Sequence, residues 1–539
     1  MKVAVVGAGT AGLGASWALN KFSEHEVHLF EADSRWGGHA NTVSFSRPTA
    51  TGSNDRTGQP AATHNVDTGF IVFNRVTYPN FLAFLHLEQV PYIGSDMSFA
   101  VTRDRGAFEW SGSSLSSLFA QKSNLLNPAH WRMVWDIVRF NTAALTLLRE
   151  ADTGESIGDY VEKHGYSAAF VDNYLLPMTA AIWSTPPDKA ALDFPALTLI
   201  RFMHNHHLLQ ILDRPTWLTI KDGSHTYVNS IVNQIPLEQQ HRSSRIHSAS
   251  SRDGKVVLAT EAGEAFEFDH VIFACHADTT LKILERGEGV TTEERRVLGG
   301  FEFSKNRAIL HADLEMMPNR RSTWSAWNYL TFSEGKRANV NRVSLTYWMN
   351  LLQSIPESEF GPVLVTLNPP FEPKPELVID EYWYQHPLFS EQSVRSQSRL
   401  PEIQNQRGIT FAGAWTKYGF HEDGFSSGLR VAAHYLGAKL PFEVRHAERD
   451  ISETNTDKFA AFVLNIAEQV RRLFATPFAV FLMLIAVGLG LLEVCLKASI
   501  GALAAVHADT SKQRLVRLRN AVSTTRSSWR AQSSREKDE

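Results

Sequence analysis

Gly7, Gly9 and Gly12 stand in the run VAVVGAGTAGLGASWAL, between a short β-branched stretch and a stretch with helical apolar spacing. In that setting GxGxxG reads as a phosphate-binding turn. Gly7 permits the tight turn, Gly9, next to Ala8, leaves room for a pyrophosphate, and Gly12 lets the helix pack closely on the strand. Phosphate charge would face the free N–H groups at the helix N-terminus. Glu31 closes the next apolar run, where a carboxylate can accept hydrogen bonds from both ribose hydroxyls and would repel a 2′-phosphate. The chemistry implied is the binding of an adenine dinucleotide, and so far NAD and FAD fit equally well.

The elements that must hold these residues follow from periodicity. Lys2 to Val6 reads as a strand, Leu13 to Asn20 as a helix and Val27 to Phe30 as a second strand. The expected class is α/β (α+β overall), with a Rossmann-type nucleotide domain and an interleaved substrate domain. We expect the first nucleotide unit over 1–75, substrate-side structure over 76–212, a return to the nucleotide domain over 213–300, more substrate-side structure over 301–398, and a last nucleotide segment over 399–440. Lys255 to Thr260 and Ala265 to Ala274 read as two strands marking the return. Arg47 to His64 is rich in Gly, Pro, Ser and Thr and reads as a surface loop.

Composition narrows the class. At 539 residues, 43% hydrophobic and 20% charged, the chain can bury a large core. A formal charge of −4 offers no field to draw nucleic acid, so no nucleic-acid partner is expected. The two cysteines, Cys275 and Cys495, lie in apolar runs and form no disulfide framework. Glycines interrupt the N-terminal apolar run, which therefore reads as strand and turn rather than as a signal peptide.

The tail differs from the rest. A linker with an amphipathic helix is expected over 441–472, and a basic polar tail over 493–539. Between them, Leu473 to Leu492 carries no charge over twenty residues, twelve of them Leu, Ile, Phe or Val. That length spans a hydrocarbon core of about 30 Å, and those twelve residues contribute roughly −4 to −7 kcal/mol toward insertion. A C-terminal transmembrane helix is expected, with the catalytic domain cytosolic.

Two segments carry a resemblance. Glu31-Ala-Asp-Ser-Arg35-Trp-Gly37-Gly38-His39 resembles the extended dinucleotide signature of flavin-containing amine oxidases and phytoene-desaturase-like enzymes, except that His39 stands where an arginine is common. ITFAGAWTKYGFHEDGFSSGLRVAAHYL resembles the C-terminal FAD motif of the same superfamily. By this resemblance the paired glycines Gly37 and Gly38 run along the FAD phosphates, and Arg35 and His39 flank them as cofactor-binding positions. Gly413 passes the phosphates or ribityl chain, and the Asp423-Gly424-Phe425 backbone meets the flavin pyrimidine edge. GGHANTV, VDTGFIVFN, LLPMTAAIWS, YWMNLLQ, VTLNPP and GFHEDG are similar to NAD/FAD-binding proteins associated with cyclopropane-fatty-acid synthases. The kinship implies an FAD enzyme acting on a hydrophobic or lipid substrate, or working beside a lipid methyltransferase as partner. No cysteine falls in the C-terminal motif, so FAD is expected to be held without a covalent link. A strict amine oxidase is the second enzymatic reading. A cofactor-free escort protein would show eroded glycines, and none are eroded here.

Hydride transfer to flavin requires that the protein orient a C–H bond and exclude water. Trp415, Tyr418 and His421 are the catalytic candidates, His421 also as a proton acceptor. His204, His206 and His207 lack carboxylate or thiol neighbours at ligand spacing and read as helix surface. Trp324, Trp327 and Tyr329 read as packing.

Overall fold

The computed structural model describes residues 1–47, 62–149, 154–183, 192, 194–210, 215–334, 337–338, 344–446, 463–464 and 466–470. The chain divides into two units, Met1–Ser452 and Glu453–Glu539. Of the second, 463–464 and 466–470 are helical. The uncharged run 473–492, the basic tail and most of the loop between Arg47 and His64 lie outside the described residues. Among the described residues no helix is long and apolar enough to cross a membrane.

The first unit is built around a five-stranded parallel sheet. Strand β1 (Lys2–Val6) lies between β2 (Glu26–Phe30) and the strand His270–Phe273, with Gln240–His241 and Ile409–Phe411 at the two edges. Every residue of β1 after Lys2 is buried, as expected of a strand covered on both faces. The register decides where chemistry can occur. Val6 pairs with Phe30 and Phe273, and Phe273 pairs with Phe411. All these strands therefore end at one edge, and Gly7, Glu31, Ala274 and Ala412 leave the sheet side by side. Ligands of open parallel sheets bind at this carboxyl edge.

Helix α1 (Thr10–Phe22) begins directly at the glycine turn. Gly7 sits at φ +104°, and a β-carbon at Gly12 would lie 1.8 Å from the Gly7 carbonyl oxygen. Across α1 runs the helix His421–Arg430, and the two approach at backbone distance. A β-carbon at Gly424 would meet Thr10 Cγ2 at 2.5 Å, and one at Gly428 would meet the Ala11 carbonyl oxygen at 2.0 Å. The two remote sequence segments are thus packed against one another.

The sequence run from Ala265 to Ala274 is two strands rather than one. Ala265–Phe268 joins an antiparallel meander with Ile246–Arg252 and Lys255–Thr260, and His270–Phe273 enters the parallel sheet. Asp269 makes the break: its carboxylate accepts the Lys2 N–H at 2.6 Å, and its own N–H donates to the Lys2 carbonyl at 2.9 Å.

A seven-stranded sheet forms the other side. Its order is Val378–Leu388, Glu302–His311, Leu364–Leu367, Ser344–Trp348, Trp327–Thr331, Phe99–Arg103 and Phe108–Ser111. All neighbours are antiparallel except Trp327–Thr331 with Phe99–Arg103. Helices Pro128–Leu147, Ile157–Lys163 and Ala196–Asn205 share a core with this sheet.

Candidate active site

A cavity of about 1200 Å³ runs from the carboxyl edge of the parallel sheet to the seven-stranded sheet. A smaller one of about 460 Å³ shares Gly9, Glu31, Gly38, Ala274 and Cys275 with it, so the two form one groove. Together they exceed the roughly 300–1,000 Å³ of an ordinary ligand pocket, leaving room for a dinucleotide and a substrate.

At the sheet end, Glu31 is fixed by two backbone donors, Ala8 N–H at 2.8 Å and Asp33 N–H at 2.9 Å. A carboxylate has more acceptor positions than these two occupy, and the rest can serve a ribose diol. A β-carbon at Gly9 would meet nothing within 4 Å. Protein packing therefore does not demand the glycine; it borders the groove, where a side chain would take up ligand space. The N-terminus of α1 has no side-chain cap and no acidic residue in its first turn, which suits a pyrophosphate. Cys275, at the same edge, hydrogen-bonds Thr280 Oγ1 at 3.1 Å, and burial pushes its thiol up to about 11.

Gly37 and Gly38 carry the chain back over this turn, Gly37 N–H donating to the Ala8 carbonyl at 3.0 Å. Arg35 Nη1 donates to the Gly38 carbonyl at 2.7 Å. His39 then enters the wall beside two further histidines. Its ring stacks on His386 with centroids 5.3 Å apart and lies 6.2 Å from His276. Burial holds all three below the usual imidazole value: His39 well below it, His386 at about 4. In place of a fixed arginine charge the wall here carries neutral rings. His386 Nδ1 accepts from Asn306 at 2.7 Å, which leaves the proton on Nε2.

The far end is apolar. Phe70, Ile71, Val72, Met97, Trp217 and Trp327 line it, and no carboxylate does among the described residues. The turn bearing Phe70 is pinned from behind by buried Asp67, which accepts from Thr42 Oγ1 at 2.6 Å, Ser224 Oγ at 2.7 Å and Gln353 Nε2 at 2.8 Å. Phe70 lies flat on His421, with ring centroids 3.6 Å apart. His421 is 8% exposed, and its Nε2 has no hydrogen-bond partner. Burial lowers it to about 3, so the ring is neutral and only weakly basic at physiological pH.

The carboxylates beside His421 hold its helix in place. Glu422 accepts from Asn80 N–H and Phe81 N–H, each at 3.0 Å, and from Ser426 Oγ at 2.9 Å, which ties the helix start to Pro79–Leu87. Asp423 accepts the Phe420 N–H at 3.0 Å.

Of the residues singled out from sequence, Gly9, Glu31, Arg35, Gly37, Gly38, His39, Gly413, Trp415 and His421 border the main cavity, and Gly7 borders the smaller one. Ala8 and Gly12 support the turn. Asp423, Gly424 and Phe425 do not border the groove: Gly424 abuts Thr10, and Phe425 is fully buried against Phe81 and Phe84. Trp415 is 2% exposed, its indole N–H donating to the Cys275 carbonyl at 3.1 Å. Tyr418 faces Phe202 and His206 rather than the groove. His204 is buried and His206 lines the cavity, so the helix-surface reading of that cluster fails. The C-terminal turn of Ala196–Asn205 is packed inward, with His206 stacked on Phe202 at 4.1 Å and held at about 4 by burial. Trp327, read as packing, also lines the cavity.

The family model described as flavin containing amine oxidoreductase matches residues 10–436. The chain belongs to this family. Among solved structures, a CLA-producing fatty acid isomerase from P. acnes shares 13% identity at a TM-score of 0.54, covering 80% of this chain and 98% of that one. A putrescine oxidase double mutant aligns at 0.56 with 13% identity, covering 81% and 98%. A UDP-galactopyranose mutase aligns at 0.54 with 15% identity, covering 85% and 97%. At such identities these likenesses show the fold. No curated protein matches by sequence. As a flavin containing amine oxidoreductase the chain is an FAD-dependent enzyme, and its groove fits that cofactor: a cleared glycine, an uncapped helix end and a carboxylate at the end of the second strand border it.

Proposed function

We propose that this flavoenzyme abstracts hydride from an uncharged, apolar substrate of the fatty-acyl lipid class, as an oxidase, desaturase or isomerase. The observation that carries the reading is the chamber of Phe70, Ile71, Val72, Met97, Trp217 and Trp327, with no carboxylate among the described residues to receive a protonated amine. FAD, when bound, supplies the hydride acceptor at N5. The apolar walls exclude water and restrict an alkyl chain to few orientations. His421 Nε2 offers one hydrogen bond to a polar group of the substrate, such as an acyl carbonyl. Glu31 and the α1 N-terminus would hold the adenosine and pyrophosphate ends, without a covalent link. The uncharged run 473–492 supports membrane anchoring, which would set the enzyme beside lipid and beside a lipid-modifying methyltransferase.

The test is anaerobic flavin reduction. Unsaturated fatty-acyl lipids should bleach the flavin spectrum and primary amines should not. Bleaching with amines, followed by peroxide release once air is admitted, and neither with lipids, would establish the strict amine oxidase instead.

A further inference from the structure

Between Gly112 and Trp135 the chain carries no acidic residue, and several of its largest apolar side chains face outward. Leu126 is 90% exposed, Leu115 61% and Leu125 49%. The segment is nonetheless firmly built. Ser114 caps the Leu115–Leu118 turn through a reciprocal capping box, the Trp131 indole N–H donates to the Leu125 carbonyl at 2.9 Å, and Trp131 packs on Phe119 at 4.9 Å. Lys122 lies exposed among these groups. A fixed apolar tip with an interfacial tryptophan, a lysine and no exposed carboxylate has the chemistry of a surface that dips into a lipid headgroup layer. An apolar protein rim would more often carry charges of both signs.

The strand register places the root of this tip, at Gly112, at the apolar end of the cavity, and the chain then returns along the edge strand, where Gln121 Nε2 donates to the Ala107 carbonyl at 2.8 Å and His130 packs on Phe108 at 5.9 Å. Trp327 pairs with Phe99 and with Tyr347, and both Trp327 and Tyr347 line the chamber. Phe99 starts its strand, and its carbonyl accepts the Gly112 N–H at 3.3 Å where the neighbouring strand ends. Ser111 Oγ and Ser325 Oγ lie 2.9 Å apart at the same end. The apolar lining and the root of the exposed tip therefore share one end of the seven-stranded sheet.

We propose that the tip formed by Leu115, Phe119, Lys122, Leu125, Leu126 and Trp131 is a bilayer-contact surface of the catalytic unit itself. The bilayer is the occupant that the chain's own composition favours, since the uncharged run 473–492 supplies a second apolar contact within the same molecule. The inference rests on the reading of an apolar substrate and names the phase against which the catalytic unit sits.

The full chain, with Cys495→Ser, can carry a fluorescent thiol label at Leu126→Cys, or at the exposed reference site Leu237→Cys beside the edge strand of the parallel sheet, in phosphatidylcholine–phosphatidylglycerol vesicles. Both side chains are solvent-facing, so substitution leaves the core untouched, and retained flavin absorbance verifies folding. The label at 126 should be quenched several-fold more by acyl-brominated lipid, and several-fold less by aqueous iodide, than the label at 237. Equal iodide access at both sites would overturn the proposal. So would shielding from iodide without bromolipid quenching, which would mark a protein contact such as a second copy. Because this readout needs no turnover, membrane contact can fail while lipid-driven flavin reduction survives, and the reverse.

Discussion

Phe70 and His421 lie face to face, ring centroids 3.6 Å apart and planes within 8°. One comes from the turn after the strand Thr63–Asp67, the other from the start of the helix His421–Arg430. The contact brings the C-terminal segment into the wall of a chamber whose other sides come from the seven-stranded sheet.

His421→Ala should therefore lower flavin reduction by substrate more than it lowers FAD content. The loss expected is about five- to tenfold, the equivalent of one hydrogen bond of about 1 kcal/mol. Because burial holds the imidazole at about 3, the wild-type rate should show no His421 titration between about pH 6 and pH 8. Stopped-flow reduction alongside flavin quantitation checks both statements.

Two neighbouring glycines should fail in different ways. At Gly12 a methyl would strike the Gly7 carbonyl oxygen at 1.8 Å, so Gly12→Ala should destabilise the apoprotein by about 3 kcal/mol. At Gly9 the same methyl meets no protein atom within 4 Å. Gly9→Ala should leave the apoprotein Tm within about a degree of wild type, since surface-like changes cost under ~0.5 kcal/mol, while weakening FAD binding. Thermal melts with and without added FAD separate the two cases.

His386 makes acid stability titratable. Its folded pKa is depressed to about 4 by burial and by His276, against about 6.5 unfolded. Its stabilising contribution is complete above pH ~6.5 and declines as pH falls toward about 4, amounting to about 2 kcal/mol at pH ~5. His386→Asn apoprotein should lose less Tm than wild type over that window. Buried Glu422, raised to about 7, acts with the opposite sign but is common to both proteins and cancels in the comparison.

Acid precipitation should release all FAD into the supernatant. Cys275, the cysteine among the described residues, lies at the sheet edge near Glu31, with its thiol pushed up to about 11. It should also resist iodoacetamide at neutral pH, because too little thiolate is present. Flavin absorbance remaining with the precipitated polypeptide would contradict the non-covalent assignment.

The nucleotide end of the groove was legible in sequence because its demands are local. A tight turn and a close helix approach require glycine at fixed spacing, and the second strand delivers Glu31 by its length alone. The rest of the wall is assembled by register. His276, His386 and Phe70 sit on separate segments and become neighbours only when the two sheets face one another, and no periodicity announces that. His206 shows the same limit. A histidine-rich helix end reads as polar surface, yet Phe202 and Phe420 enclose it. The Asp423-Gly424-Phe425 stretch was recognisable, but its glycine answers to Thr10 across the helix crossing rather than to the groove.

The central claim is that the turn at residues 7–12 and the segment at 412–425 hold one flavin between them. The most direct measurement is the flavin content, by visible absorbance, of the purified full chain and of two single variants, Gly9→Val and Ala414→Asp, each of which projects a side chain into the groove from one of the two segments. One FAD per chain in the wild type, with loss of the flavin bands in both variants while the far-UV signal is retained, is the predicted result. Undiminished flavin in either variant would show that the corresponding segment does not touch the cofactor.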